Sequence, residues 1–333
     1  MRRQKKSKWF KLPVVIATIM VMGWATSIGW AAEVKYPTKP VQVVIGFAPG
    51  ATDIAIRPFT DKLQEVLGQP INFEYKPGAG GAIGASFAAK AKPDGYTFLG
   101  CSSSPIITSP LTKEGLDYTL SDFVPICRIT TQPSFIAVKA DSRWKSLKEL
   151  IEEAKRSPGK LTYSTAGVFG TDHTAMEVLH KLGGFNTTHV PATGVGPAVT
   201  ATLGGHVDYI CGPTQTVAPH IKSGALRGLA ITGEERSREF PDIPTASELG
   251  YPVFYVGWYG LVAPKGIPGE VLKAIYDACD KTIEIHGKTV EDQLRKLSIN
   301  PAYLKGEAFG KFLNELYDTT KKVVEDLKKQ PTK

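Results

Sequence analysis

Short apolar runs alternate with helix-patterned segments along most of the chain. Residues 41–47, 70–75 and 96–100 are strand-like, and two stretches with helical spacing lie between them, so residues 41–100 read β-α-β-α-β. That order predicts a parallel sheet, because right-handed helical crossovers are the usual link between parallel neighbours. Residues 123–130 and 134–140 are two strand-like runs with no helix between them, and they lead toward a second domain. There, Ser146 and Glu149 form a capping box for a helix that Pro158 and Gly159 end. A strand at 161–164, a helix at 173–182 with Thr171 or Asp172 as N-cap, and a strand at 188–191 then repeat the first order. A helix at 197–203 and strands at 207–211 and 226–231 complete a second sheet. Residues 258–263 are again strand-like and return to the first domain, where helices at 268–284 and 307–329 pack. The last helix carries Phe309, Phe312, Leu313, Leu316, Tyr317 and Val324 at 3.6-residue spacing, which marks a core-facing face.

The turns of this pattern are the chemically informative part. Residues 49–53 and 77–82 are rich in small residues and follow strands, so they lie at the carboxyl edge where parallel sheets bind ligands. Glycine admits a close backbone approach, and the first turn of a helix leaves N–H groups unpaired, so the two turns together offer donors to an anion. Residues 102–104, 165–172, 192–196 and 212–214 are further small, polar strand ends. The glycines near Gly78 do not form a dinucleotide fingerprint: Ile83 stands where a small residue is needed, and no acid follows about twenty residues on. Neither a G-x-S-x-G elbow nor a zinc-ligand spacing occurs, and His173 and His180, seven apart on one helix, have no evident third ligand. His173, beside the predicted cap, is a candidate for the cleft, and Trp258 and Tyr259 are candidates for its wall or for packing at the hinge.

The amino-terminal stretch changes the charge argument. Six basic residues before residue 12, an apolar core at 12–24 and the small-x-small order Gly29-Trp30-Ala31 predict a signal peptide over residues 1–31, cleaved after Ala31 or Ala32. No acid precedes Glu33, so cleavage lowers the formal net charge from +8 to +2, which removes the case for nucleic-acid binding. The first cysteine is Cys101, so no lipid is expected at the new terminus, and a periplasmic location is implied. Cys101, Cys127, Cys211 and Cys279 are widely spaced and fall mostly in apolar runs; three full pairings are possible, and buried free thiols are the preferred reading. Roughly 300 residues then remain, the upper limit for one core, so two domains are expected.

Several motifs together resemble the substrate-binding component of tripartite tricarboxylate transporters, the Bug family. They are F-x-P-G-x-T-D-x-x-x-R at 47–57, N-x-x-x-K-P-G-A-G-G at 72–81, P-D-G-Y-T at 93–97, Y-S-T-A-G-x-x-G-T at 163–171 and H-V-P-A-T-G-x-G-P-A at 189–198. L-G-G-H-V-D at 203–208, P-D-I-P-T-A-S-E-L-G at 241–250 and W-Y-G-L-V-A-P at 258–264 extend the likeness over residues 36–325. The resemblance implies an α/β periplasmic-binding-protein-like type II fold, with domain 1 at 32–130 and 255–333 and domain 2 at 131–254 around a ligand cleft. It also implies no enzymatic activity and no cofactor. The expected chain is a monomer that captures a small carboxylate and delivers it to a large and a small integral membrane subunit. Carried over from the family, the ligand residues are Gly50, Ala51, Thr52 and Asp53, then Gly78, Ala79, Gly80 and Gly81. Ser102 and Ser103, with Ala166, Gly167, Thr171, Thr193 and Gly212 from domain 2, complete the set. Asp53 is read as a helix cap, since two carboxylates repel.

Three departures bear on the ligand. The first loop is one residue shorter than the family's G-G-x-x-D, Pro58 follows Arg57 and predicts a late start or a bend in the first helix, and Gly212 stands where many members have an aspartate for a substrate amino group. The last favours a plain mono-, di- or aromatic carboxylate. Two other readings remain open: a ligand-binding partner of a membrane sensor kinase, and an extracytoplasmic enzyme acting on small acids.

Overall fold

The computed structural model describes residues 35–253 and 255–329. The predicted signal peptide lies outside them. Eleven strands among the described residues form two sheets.

The first sheet starts from β1 (Val41–Ile45), α1 (Ala51–Leu67), β2 (Ile71–Tyr75), α2 (Ala82–Ala89) and β3 (Thr97–Cys101). β1 pairs in parallel with both β2 and β3, as the alternation predicts. Val41, Val43, Val44 and Ile45 are fully buried, because this strand has neighbours on both edges and helices over its faces. A π-helical turn (Ser104–Thr108) and the short α3 (Ser109–Thr112) follow β3 directly. β4 (Phe123–Gln132) then leads, past Pro133 alone, into β5 (Ser134–Lys139) in the other sheet.

The second sheet repeats the construction of the first. α4 (Leu147–Arg156) precedes β6 (Thr162–Thr165), α5 (Thr171–Gly183), β7 (Thr188–Pro191), α6 (Val195–Leu203) and β8 (Tyr209–Pro213). β6 is parallel to β7 and β8, and β5 runs antiparallel to β8. The order is β7-β6-β8-β5, closed by β9 (Leu226–Ile231), after α7 (Thr214–Lys222). The chain returns to the first sheet as β10 (Gly257–Pro264), followed by α8 (Gly269–Lys296), β11 (Asn300–Lys305) and α9 (Gly306–Lys329). The six-stranded order is β11-β4-β10-β3-β1-β2, with β10 antiparallel to both β3 and β4.

Several local expectations need correction. α1 starts at Ala51 although Pro58 lies inside it; the proline removes one N–H from a helix whose Ala55, Ile56, Phe59 and Leu63 are buried, and that packing carries it. α5 is capped at Gly170 without a side-chain oxygen, so neither Thr171 nor Asp172 is the N-cap; the His173 ring, Nδ1 accepting from Phe169 N–H at 3.0 Å, takes up a donor there. Ser146 does cap α4, accepting from Glu149 N–H at 3.2 Å, but Glu149 reaches back to Lys145 N–H. α7 and β11 were not legible, α7 because Pro219 interrupts its pattern and β11 because its residues are half-buried and not strongly apolar. All four cysteines are free and buried.

Candidate functional site

The turns of the first sheet are built on backbone contact. A Cβ on Gly46 would lie 2.5 Å from the Gly81 carbonyl oxygen, and one on Gly84 would lie 2.6 Å from Gly46 Cα, so the β1–α1 turn and the start of α2 touch main chain to main chain. Ser104 donates to the Gly80 carbonyl at 3.0 Å and Lys113 Nζ to the Ala79 carbonyl at 2.5 Å, which ties the second turn to the segment after β3. Asp53 is occupied within its own turn: its carboxylate accepts from Gly50 N–H at 2.6 Å and from Tyr75 at 3.0 Å, with Arg57 at 3.6 Å. That is a cap's role, as the sequence indicates.

Two cavities lie where the chain crosses between the sheets. The first, of about 260 Å³, is walled by Ser102, Ser103 and Ser104 of the first sheet's edge and by Val168, Phe169 and Thr171 ahead of and opening α5. Trp258 and Tyr259 of β10 form another part of its wall. The second, of about 230 Å³, is walled by Ser134, Thr165, Ala166 and Gly167, and by Asp172 and His173 at the first turn of α5. Gln132, Gly170, Thr171 and Gly257 belong to both walls, so the cavities adjoin at the crossing strands. Gln132 and Gly257 pair across β4 and β10.

Of the carried-over ligand residues, Ser102, Ser103, Ala166, Gly167 and Thr171 line these cavities. Gly50, Ala51, Thr52, Asp53, Gly78, Ala79, Gly80, Gly81, Thr193 and Gly212 do not. Gly212 is buried in β8, where a Cβ would meet Val217 at 3.1 Å, so packing leaves no room for a longer side chain there. Sequence reading missed Gln132, Ser134 and Gly257 as cavity residues and took Asp172 for a cap. Their one visible signal was position: polar or small residues at the two chain crossings.

The electrostatics of the cavities are unusual for an anion site. Among the residues that wall them there is no lysine or arginine. Asp172 is 7% exposed, and burial raises its carboxyl to about 6, an effect the Ser134 hydroxyl, donating at 2.5 Å, partly offsets. Behind the loop, His173 and His189 stack at 4.0 Å between ring centroids. Burial depresses both imidazoles, His189 to about 4, with neighbouring histidines adding to the effect. Thr165 donates to the Gly167 carbonyl at 3.0 Å and so accepts from His189 Nε2 at 2.9 Å. His173 and His189 thus hold both ends of the turn 165–170 from behind. Among the described residues, no group of three or more His, Cys, Asp or Glu side chains is placed to hold a metal ion, and no helix is long and apolar enough to cross a membrane.

The family described as "Tripartite tricarboxylate transporter family receptor" matches residues 55–328. The "UPF0065 protein in gbd 5'region" of Cupriavidus necator is 34% identical over 94% of this chain and 95% of its own length. "Protein BugT" of Bordetella pertussis is 36% identical over 73% of this chain and 77% of its own. Among solved structures, a TctC solute binding protein from Polaromonas superposes with a TM-score of 0.79 at 29% identity, covering 87% of this chain and 99% of that one. MatC of Rhodopseudomonas palustris with bound malate gives 0.63 at 29% identity, covering 87% and 100%. R. palustris Rpa4515 with adipate gives 0.67 at 26%, covering 87% and 97%. With matches of this extent to sequence and to fold, the chain belongs to the tripartite tricarboxylate transporter receptor family of solute-binding proteins.

Proposed function

We propose that this receptor binds a small organic carboxylate in the paired cavities between its two sheets and presents it, in the periplasm, to a large and a small integral membrane subunit. The observation that carries the reading is that both sheets and both chain crossings contribute to the walls of one adjoining pair of cavities. Relatives with the same fold hold adipate and malate, which supports a carboxylate as the ligand class here. We also read residues 32–130 with 255–333, and 131–254, as two domains that move about the crossings at Pro133 and ahead of Gly257. The turns at 50–53 and 78–81 then join the site by closure, the backbone N–H groups of 51–53 and 78–80 facing the ligand only once the domains approach, since those of Gly50 and Gly81 are already engaged. A binding role without catalysis agrees with the receptor family and with the engagement of the cavity histidine, His173, in holding a loop.

A carboxylate panel tested by thermal shift checks this. A ligand at about a hundred times its dissociation constant stabilises by ~2.7 kcal/mol, which raises the melting temperature by a few degrees. A panel that leaves the melting temperature unchanged throughout would count against carboxylate binding.

A further inference from the structure

Ser103 and Trp258 belong to the first cavity's wall, and the Ser103 hydroxyl and Trp258 indole N–H lack hydrogen-bond partners among the described residues, but both atoms are sealed from the cavity and the indole packs edge-on to Phe309 and Phe312 of α9, so neither is offered to a solute. In the wall of the second cavity, Asp172 is buried with one hydrogen-bond partner among the described residues, the Ser134 hydroxyl. A carboxylate has room for about four donors, so what is missing there is a donor. Gly170 and Thr171 belong to both walls, so the two cavities adjoin at the start of α5.

We propose that Asp172 receives a hydrogen-bond donor of the ligand, a hydroxyl, amide or ammonium group, at the end away from its carboxylate. This rests on the carboxylate reading above and narrows it. The preferred solute is a polar-tailed monocarboxylate. A plain dicarboxylate places a second negative charge against a buried carboxylate that has no cation beside it among the cavity residues, and like charges at short range disfavour that arrangement. Asp172 thus supplies, from a different strand end, the acidic character that Gly212 lacks, and it points away from the plain carboxylates that the bare sequence favours.

The test is calorimetry at neutral pH on the full chain, with three straight-chain acids of matched length: an unsubstituted monocarboxylate, one with a terminal hydroxyl, and the dicarboxylate. One hydrogen bond to a charged group changes affinity about ten- to a hundredfold, so the hydroxy acid should bind tighter than the dicarboxylate by about that factor. Asp172→Asn should close or invert the gap. Circular dichroism reports whether Asp172→Asn is folded. Should it not fold, the order of the three acids on the parent protein carries the test. A dicarboxylate that binds as tightly as the hydroxy acid, with a preference indifferent to Asp172→Asn, overturns this inference while leaving carboxylate binding intact. Saturable binding of uncharged solutes with none of any acid overturns the carboxylate reading itself.

Discussion

At the scale of single residues, close approach decides more than chemistry. Gly46 lies where the backbone of Gly81 leaves no room for a methyl group, and a Cβ there would sit 2.5 Å from a carbonyl oxygen that cannot rotate away. Gly46→Ala is therefore expected to cost about 1–3 kcal/mol, as overpacking does, and to displace the second turn, read by denaturant unfolding. Gly80 has φ +66°, so a β-branched residue there would strain the backbone before meeting any ligand. Lys113→Ala, which removes only the donor to the Ala79 carbonyl, is the cleaner probe of that turn. Titration gives a second prediction. His189 is depressed by burial to about 4, so the unfolded chain takes up the proton first, and this stabilisation is complete above about pH 6.5 and lost as the pH falls toward 4. Asp172 is raised by burial to about 6, so the folded chain takes up the proton first, and stability is gained as the pH falls through 6. The two oppose one another in one window. Asp172→Asn should remove the second effect and make the loss of stability between about pH 6.5 and 4 steeper than in the parent, which urea unfolding across that range measures.

At the scale of elements, the turn before α5 is held by side chains that follow it. His173 Nδ1 accepts from Phe169 N–H, while Thr165 and His189 fix Gly167. His173→Phe keeps the aromatic volume and removes that acceptor, leaving an amide without its partner. The expected cost is about 1 kcal/mol in stability, with faster hydrogen exchange at the Phe169 amide and weaker ligand binding. α4 offers a contrast far from the cavities. Ser146→Ala removes its cap and should cost ~1 kcal/mol with ligand affinity unchanged, because no residue of α4 lines either cavity.

At the scale of the whole molecule, the paired cavities join two sheets of similar construction. β2-β1-β3 and β7-β6-β8 are both parallel triplets with the middle strand first in sequence, each extended by an antiparallel strand next to a chain crossing, β10 in one sheet and β5 in the other. α9 packs on β4 and also against α5, and Tyr255 bonds Thr320 at 2.7 Å, so one flank of the crossings is already packed. A ligand that touches both sheets has a higher affinity for the arrangement that brings them together, which is the condition for shifting a hinge equilibrium. Small-angle scattering should show the radius of gyration falling when a bound carboxylate is added; an unchanged radius at saturation points to a preformed site. The signal peptide expected over residues 1–31 predicts a mature amino terminus at Ala32 or Glu33, which mass spectrometry checks.

What the sequence determined by itself was much of the local structure. Alternating apolar runs of strand length, the capping serine of α4 and the end of α5 near residue 182 were readable because each depends on neighbours within a few residues. The parallel order of β1, β2 and β3 followed from the same periodicity. The family motifs indicated turns at strand ends, and five of the ligand residues carried over from the family do wall the cavities. Which side chains meet across the crossings was left to the tertiary structure. Ser134 and Asp172 are 38 positions apart, and Ser103 and Trp258 share a wall only because β10 returns beside β3 and β4. Burial made the difference in chemistry. The same aspartate that on an exposed helix end would be an ordinary cap becomes, once water is removed and a single hydroxyl is left as its partner, a group whose protonation and hydrogen bonding depend on what enters the cavity.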